Sequence, residues 1–249
     1  MKRSAVFKFI AVIAALLIWQ FVSMAVGLDM LLASPLQVAG RLLSVWREDG
    51  FLSTVVFSLG RVAAGFLVAF VIGTVLAVLA GRFKPVEFLL WPYIVTFRAV
   101  PVASFIILCL IWLSSRQLTV FIAFLIAFPV IYGNVLEGIR STDQEMKEMS
   151  ALFHVPWRRS FLYIDLPSLK PYLLSACSTA AGMAWKAGVA AEIIGVVKGS
   201  IGEKLYEAKI YLQSADLFAW TILIIVLSVL MEKAFLFLLK RAFAGVEKL

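Results

Sequence analysis

Charge is scarce in this chain of 249 residues: 15% are Asp, Glu, Lys or Arg, where a soluble domain carries about 25%. Cysteine and histidine are scarcer still, at two and one. Cys109 and Cys177 each lie inside an uncharged apolar run, so neither a disulfide framework nor a thiolate metal cluster is indicated. His154 stands alone, which leaves no material for a histidine dyad or a His-ligated metal. No G-x-x-x-x-G-K-[ST] phosphate cradle, low-complexity tract or internal repeat occurs. What is abundant is apolar: 63% of residues are hydrophobic and the mean hydropathy is +0.99. That leaves too little polar sequence to cover a soluble globule, so lipid must solvate much of the surface. The net charge of +8 does not point to nucleic acid, because the basic residues fall between long uncharged runs and form no aromatic-interleaved patch.

A helix needs about 20 apolar residues to cross the hydrocarbon, where only internal hydrogen bonding satisfies its backbone. Six segments meet or approach this: 7–28, 55–80, 87–113, 117–137, 171–197 and 217–240. Val62 to Gly81 and Gln117 to Leu136 are wholly uncharged; the third, fifth and sixth segments carry internal charges. The run from Phe9 to Leu28 is 20 residues without a charge, longer than the core of a signal peptide, and is read as a retained first span. With the N-terminus inside, thirteen basic residues (Lys2, Arg3, Lys8, Arg82, Lys84, Arg140, Lys147, Arg158, Arg159, Lys170, Lys240, Arg241, Lys248) fall inside and six (Arg41, Arg47, Arg116, Lys198, Lys204, Lys209) outside. This satisfies the positive-inside bias with both termini cytoplasmic. The expected architecture is an all-α integral membrane protein of about six transmembrane helices. Residues 1–54 form a first span and outer connector, 55–240 a five-span core, and 241–249 a cytoplasmic tail.

The inside segment 141–168 is the most informative part of the chain. From Ser141 to Phe153 it is helix-like and amphipathic: Asp143 and Glu145 favour its N-terminal end through the helix dipole, and Met149, Leu152 and Phe153 form an apolar edge. Pro156 stops or bends it, and Pro171 suits the first turn of the fifth span. A short helix hung between two spans suits a groove on a cytosolic partner, to which it transmits rigid-body motion. A helix lying flat on the membrane is the alternative.

Glu148, followed by Ile164-Asp165-Leu166-Pro167, resembles the EAA loop of binding-protein-dependent ABC importer permeases, with Met149 and Ser150 in place of alanines and His154 in place of glycine. Ser34-Pro35, Ser58-Leu59-Gly60-Arg61 with Gly65 and Gly73, Arg98-Ala-Val-Pro101, Phe128-Pro129, Asn134 to Gly138, and Ala184-Trp185 with Ala190-Ala191-Glu192 and Gly195 extend the likeness over nearly the whole chain. They resemble the sulfonate, nitrate and taurine permeases in particular. The resemblance implies a type I importer fold with a cytoplasmic coupling helix. It also implies a second permease copy, a solute-binding protein on the outer face, and a cytosolic ATPase pair that carries ATP and magnesium. This chain itself would bind no cofactor and catalyse no reaction. Coupling to the ATPase would run through Glu148, Met149, Ala151, Leu152, Phe153, His154, Ile164, Leu166 and Pro167.

Charge within a span is costly and points to function. Arg98, Ser104, Trp185, Lys186 and Glu192 are the candidates for the translocation pathway, and the basic Lys186 suits an anionic solute; the alternatives are an interhelical or intersubunit ion pair for Glu192, snorkelling or pairing with a carboxylate for Lys186, and an interfacial cytoplasmic position for Arg98. Trp185 and Glu192, seven apart, share one helix face, and Lys186 points elsewhere. Arg61, near the start of the second span, is read as reaching outward to water. Other readings stay open. One is a self-contained ion-coupled carrier using Lys186 and Glu192 as a relay. Another is an importer of a vitamin precursor. An intramembrane enzyme or scaffold is disfavoured by the lack of a catalytic constellation in the spans.

Overall fold

The computed structural model describes residues 2–246. Lys248 and the end of the 241–249 tail lie outside the described residues, as do the side chains of Lys2, Arg3, Lys8 and Arg158. The described chain is helical from end to end: α1 (Lys2–Val26), α2 (Pro35–Val45), α3 (Phe51–Arg82), α4 (Lys84–Ala99), α5 (Val102–Cys109), α6 (Ser115–Arg140), α7 (Gln144–Leu152), α8 (Trp157–Ser160), a π-helical turn (Phe161–Asp165), α9 (Leu166–Ile194), α10 (Ile201–Ile210) and α11 (Ser214–Val246). Four of these are long and apolar enough to cross a membrane, namely α1, α3, α6 and α11. Residues of α1 and the outer faces of α3 and α11 leave large apolar side chains exposed, among them Phe9, Phe21, Val71 and Phe237, as lipid requires.

The third segment, which Pro92 and Pro101 mark as interrupted, is two helices and not one. α4 and α5 meet at a bend of 105°, and the cause is local. Pro101 excludes helical backbone at the preceding residue, so Val100 is extended (φ −71°, ψ 129°) and closes α4. The fifth expected span differs from expectation. α9 begins at Leu166, with Pro167 in its first turn and Pro171 in its interior. At 29 residues it is about 44 Å long, enough to span, but it is not apolar enough to count among the four by composition. It does not need to be, since α9 packs against α6 along its length and also against α3 and α11. Ala176, Ala180, Ala181, Ala184 and Ala191 are buried there, and such small residues let helix backbones approach.

α6 is the centre of the bundle, with α3 on one side and α9 on the other. The α3 seam is set by Gly65, Gly73 and Gly81. A β-carbon on Gly65 would overlap the Val120 carbonyl oxygen and stand 2.8 Å from Ala123 Cβ, and one on Gly81 would be 2.9 Å from Ile139 Cγ2. The two ends of the bundle are distinct. At one, Arg140 pairs with Glu87 and Lys147 with Asp165, gathering the α3–α4 turn, α7 and the root of α9. At the other, Arg41 of α2 pairs with Asp216 of α11, and α10 sits over the ends of α9 and α3. Arg61 does not reach freely outward. It is half-buried, lies over the Phe57 ring at 4.8 Å, and its Nη1 is buried without a hydrogen-bond partner.

Candidate functional site

α7 hangs outside the bundle between α6 and α9. Asp143 caps it, its carboxylate accepting from the Glu145 amide at 2.9 Å, which satisfies one of the free N–H groups of the first turn. Ser150 is buried, while Glu148, Met149, Ala151, Leu152 and Phe153 are all exposed. Leu152 is 77% and Phe153 72% exposed, next to Met149 at 49%. Together these side chains form an exposed apolar edge at the Arg140 and Lys147 end of the bundle. Lys147 and Asp165, 3.7 Å apart, join α7 to the π-helical turn that holds half-buried Ile164, beside half-buried Leu166 and exposed Pro167. The two halves of the loop motif, separated in sequence, are thereby neighbours in space.

The helix ends in a Schellman arrangement: the His154 amide donates to the Ala151 carbonyl at 3.1 Å and the Val155 amide to Ser150 at 3.0 Å. That ending needs one left-handed residue, usually glycine, and here it is His154, with φ 50°. The geometry expected of the glycine is kept and the histidine carries the strain. His154→Gly is therefore expected to stabilise the loop by about 1 kcal/mol. Slower hydrogen exchange at the 150–156 amides would show this, and faster exchange would contradict it.

α9 sorts the other candidates. Trp185 and Glu192 are fully buried, while Lys186 is exposed. The Trp185 indole N–H donates to the Ile224 carbonyl of α11 at 2.9 Å, tying two long helices together. Lys186 shares its outer face with Ser175, Thr179 and Met183, at the spacing of one helical stripe. Among the described residues it has neither an ion-pair nor a hydrogen-bond partner. Ser104, exposed on α5, lies on a neighbouring helix, because Ile106 and Cys109 of α5 pack with Ala187 and Ala191. Among the described residues no hydrogen bond joins Ser104 to Lys186. Arg98 is exposed at the end of α4 and donates from Nη2 to the Pro129 carbonyl of α6 at 2.9 Å. Gly133 makes room for it, since a β-carbon there would overlap the guanidinium.

Glu192 sits in a network that the sequence reading missed. Its Oε2 accepts from Ser58 Oγ at 2.8 Å and from the Gly202 amide at 3.4 Å, and Ser58 Oγ accepts from the Ile201 amide at 2.9 Å. Ser58, Ser200 and the whole of α10 thus belong to the arrangement. A signal for α10 existed in Ser200-Ile-Gly-Glu203, the spacing of a capping box; Ser200 Oγ accepts from the Glu203 amide at 3.1 Å.

A helical bundle with four long apolar helices, a bent helix pair and a short helix hung outside it is the architecture of a multi-pass membrane protein. Residues 69–244 match the family described as binding-protein-dependent transport system inner membrane component, and the chain belongs to that family. It is 29% identical over 74% of its length to the putative aliphatic sulfonates transport permease protein SsuC of Bacillus subtilis, and 27% identical over 62% to the bicarbonate transport system permease protein CmpB of Synechococcus elongatus. These matches span 66% and 55% of the two relatives' own lengths. A solved amino acid ABC transporter has the same fold, with a TM-score of 0.59 at 17% identity over 79% of this chain and 94% of that one.

Proposed function

We propose that the chain is the permease subunit of an ATP-driven importer for a small anionic solute. The observation that carries the anionic assignment is Lys186, which stands exposed on the outer stripe of α9 without a partner among the described residues. At a helix centre an uncompensated lysine costs about 2.5–3.5 kcal/mol, so this stripe faces a water-filled path and not lipid. Two copies of the chain line that path, with Arg98 and Ser104 contributing polar groups. Trp185 and Glu192, which are buried within one copy, hold α9 in place instead of touching solute. The sulfonate and bicarbonate named for the two relatives are both anions, which supports the same charge preference.

Both termini lie in the cytoplasm and the protein resides in the inner membrane, as the sidedness of the basic residues supports. A cytosolic ATPase pair carrying ATP and magnesium grips α7 through Glu148 and the Met149, Leu152, Phe153 edge, and a solute-binding protein docks on the α2 and α10 end. Closure of the ATPase pair moves both α7 helices and biases the spans between inward-open and outward-open packings. That requires ATP to favour one packing by a few kcal/mol. The geometry gives no support to a relay between Lys186 and Glu192, since one is exposed and the other buried within the same helix.

The test is uptake of bicarbonate and of an alkanesulfonate into proteoliposomes containing the whole transporter. Lys186→Gln is expected to lower uptake of whichever anion is carried by about tenfold or more, the size of one charge-assisted interaction, while Lys186→Arg retains it. Undiminished uptake by Lys186→Gln would remove the basic path.

A further inference from the structure

We propose that Glu192 is a positioning residue for transport, a latch whose carboxylate holds α10 down on α3 in this conformation and passes to Arg61 when α10 lifts. The proposal rests on the permease reading.

Glu192, Ser58 and Ser200 are all fully buried, and a buried carboxylate is tolerated only when its oxygens are satisfied. Here one oxygen is and the other is not. Oε2 receives Ser58 and the Gly202 amide, and the Ser58 hydroxyl in turn receives the Ile201 amide. The first amides of α10, a helix of ten residues, therefore end on a carboxylate and on the hydroxyl that donates to it, which the helix dipole favours. Gly202 is what lets α10 come this near, because a β-carbon there would overlap Glu192.

Among the described residues the second oxygen, Oε1, is buried and makes no hydrogen bond within 3.5 Å, although the Ser200 hydroxyl lies beside the carboxyl, and Nη1 of Arg61 is likewise buried without a bond. Arg61 lies three residues beyond Ser58 on α3, hence on the same side of that helix, close enough for its charge to be felt at Glu192. An acceptor and a donor that are both unfilled, on facing helices, form a half-satisfied network, and a buried polar atom left without a bond calls for an explanation.

The connection between α9 and α10 is short and starts from a tight cap. Val196 is left-handed, with φ 44°, and the Val197 amide donates to the Glu192 carbonyl at 3.0 Å and the Val196 amide to the Ile193 carbonyl at 3.4 Å, the same Schellman ending that His154 makes on α7. Lifting α10 frees Ser58 and the α10 amides, and gives the carboxylate a charged partner in exchange for two neutral ones.

The experiment is hydrogen exchange of the 198–206 amides in the full transporter, nucleotide-free and trapped with ATP and vanadate, alongside ATP turnover. In the native protein, trapping is expected to speed exchange at Ile201 and Gly202 about tenfold, the signature of a local opening. Glu192→Gln keeps an acceptor for Ser58 and Gly202 but no charge for Arg61, and Arg61→Gln removes the second partner. Each is expected to keep resting protection, lose the vanadate-dependent opening and slow ATP turnover. The double variant should be no worse than either alone. A purely structural Glu192 predicts instead that Arg61→Gln behaves as native, and this outcome overturns the latch. So does unchanged exchange in the native protein on trapping. Should Glu192→Gln fail to fold, Arg61→Gln carries the test alone. If the native complex hydrolyses no ATP, the permease reading falls first and the latch with it; normal turnover with normal opening in Arg61→Gln sinks only the latch.

Discussion

Trp185→Ala is expected to cost about 3–5 kcal/mol of stability, the range for truncating a buried aromatic. The side chain is fully buried in the main core, so its removal leaves a cavity that helices pinned along their length cannot close. Its indole N–H bond to Ile224 is also one of the ties between α9 and α11. Trp185→Phe loses that bond but fills most of the space, and is expected to cost less than half as much. Unfolding in detergent, followed by helix content, separates the two variants. A cost below about 1 kcal/mol for the alanine variant would mean that α9 and α11 do not pack as described.

The second large effect lies in the α3–α6 seam and comes with its own control. Gly65→Ala places a methyl into the Val120 carbonyl oxygen and 2.8 Å from Ala123 Cβ, both belonging to a helix that cannot move without disturbing α9. Overpacking of this kind costs about 1–3 kcal/mol or more. At Gly60, five residues earlier on the same helix, a β-carbon meets nothing within 4 Å. Gly60→Ala is expected to be neutral or to gain up to about 1 kcal/mol from helix propensity. Opposite signs for the same chemical change identify a packing seam; equal effects would show that α3 and α6 are not in close contact.

What was legible in the sequence follows from how local each cause is. Absence of charge over 20 residues is a local property, and α3 and α6 appear where Val62 to Gly81 and Gln117 to Leu136 placed them. The amphipathic helix before Pro156 was equally readable, and the structure turns Met149, Leu152 and Phe153 outward. Helical spacing put Trp185 and Glu192 on one face and Lys186 on another, but spacing alone does not say which face meets the core. That choice depends on Ile224 and Ser58, each remote in sequence. The break at Val100 was legible too, since the steric effect of Pro101 on its predecessor is local, whereas Pro92 is accommodated inside α4. Arg61 was read as reaching outward because the start of a span says nothing of the Phe57 ring on which the guanidinium lies, and α10 was overlooked because a short polar helix has no hydropathy signal. His154 shows the reverse case: the backbone keeps a glycine's conformation although the sequence departs from it.

The central claim is that α7 is the handle by which a cytosolic ATPase drives the spans, and co-purification tests it most directly. The chain and its cognate ATPase subunit are expressed together, extracted into nanodiscs and compared with Glu148→Arg at matched levels. Glu148 is exposed and, among the described residues, accepts a single hydrogen bond, from Gln144 at 3.4 Å, so the substitution leaves the fold intact and reverses the charge presented to the partner. The account predicts a stable native complex and its loss in the variant. A native chain that binds no ATPase, yet moves solute down an ion gradient by itself, would contradict it.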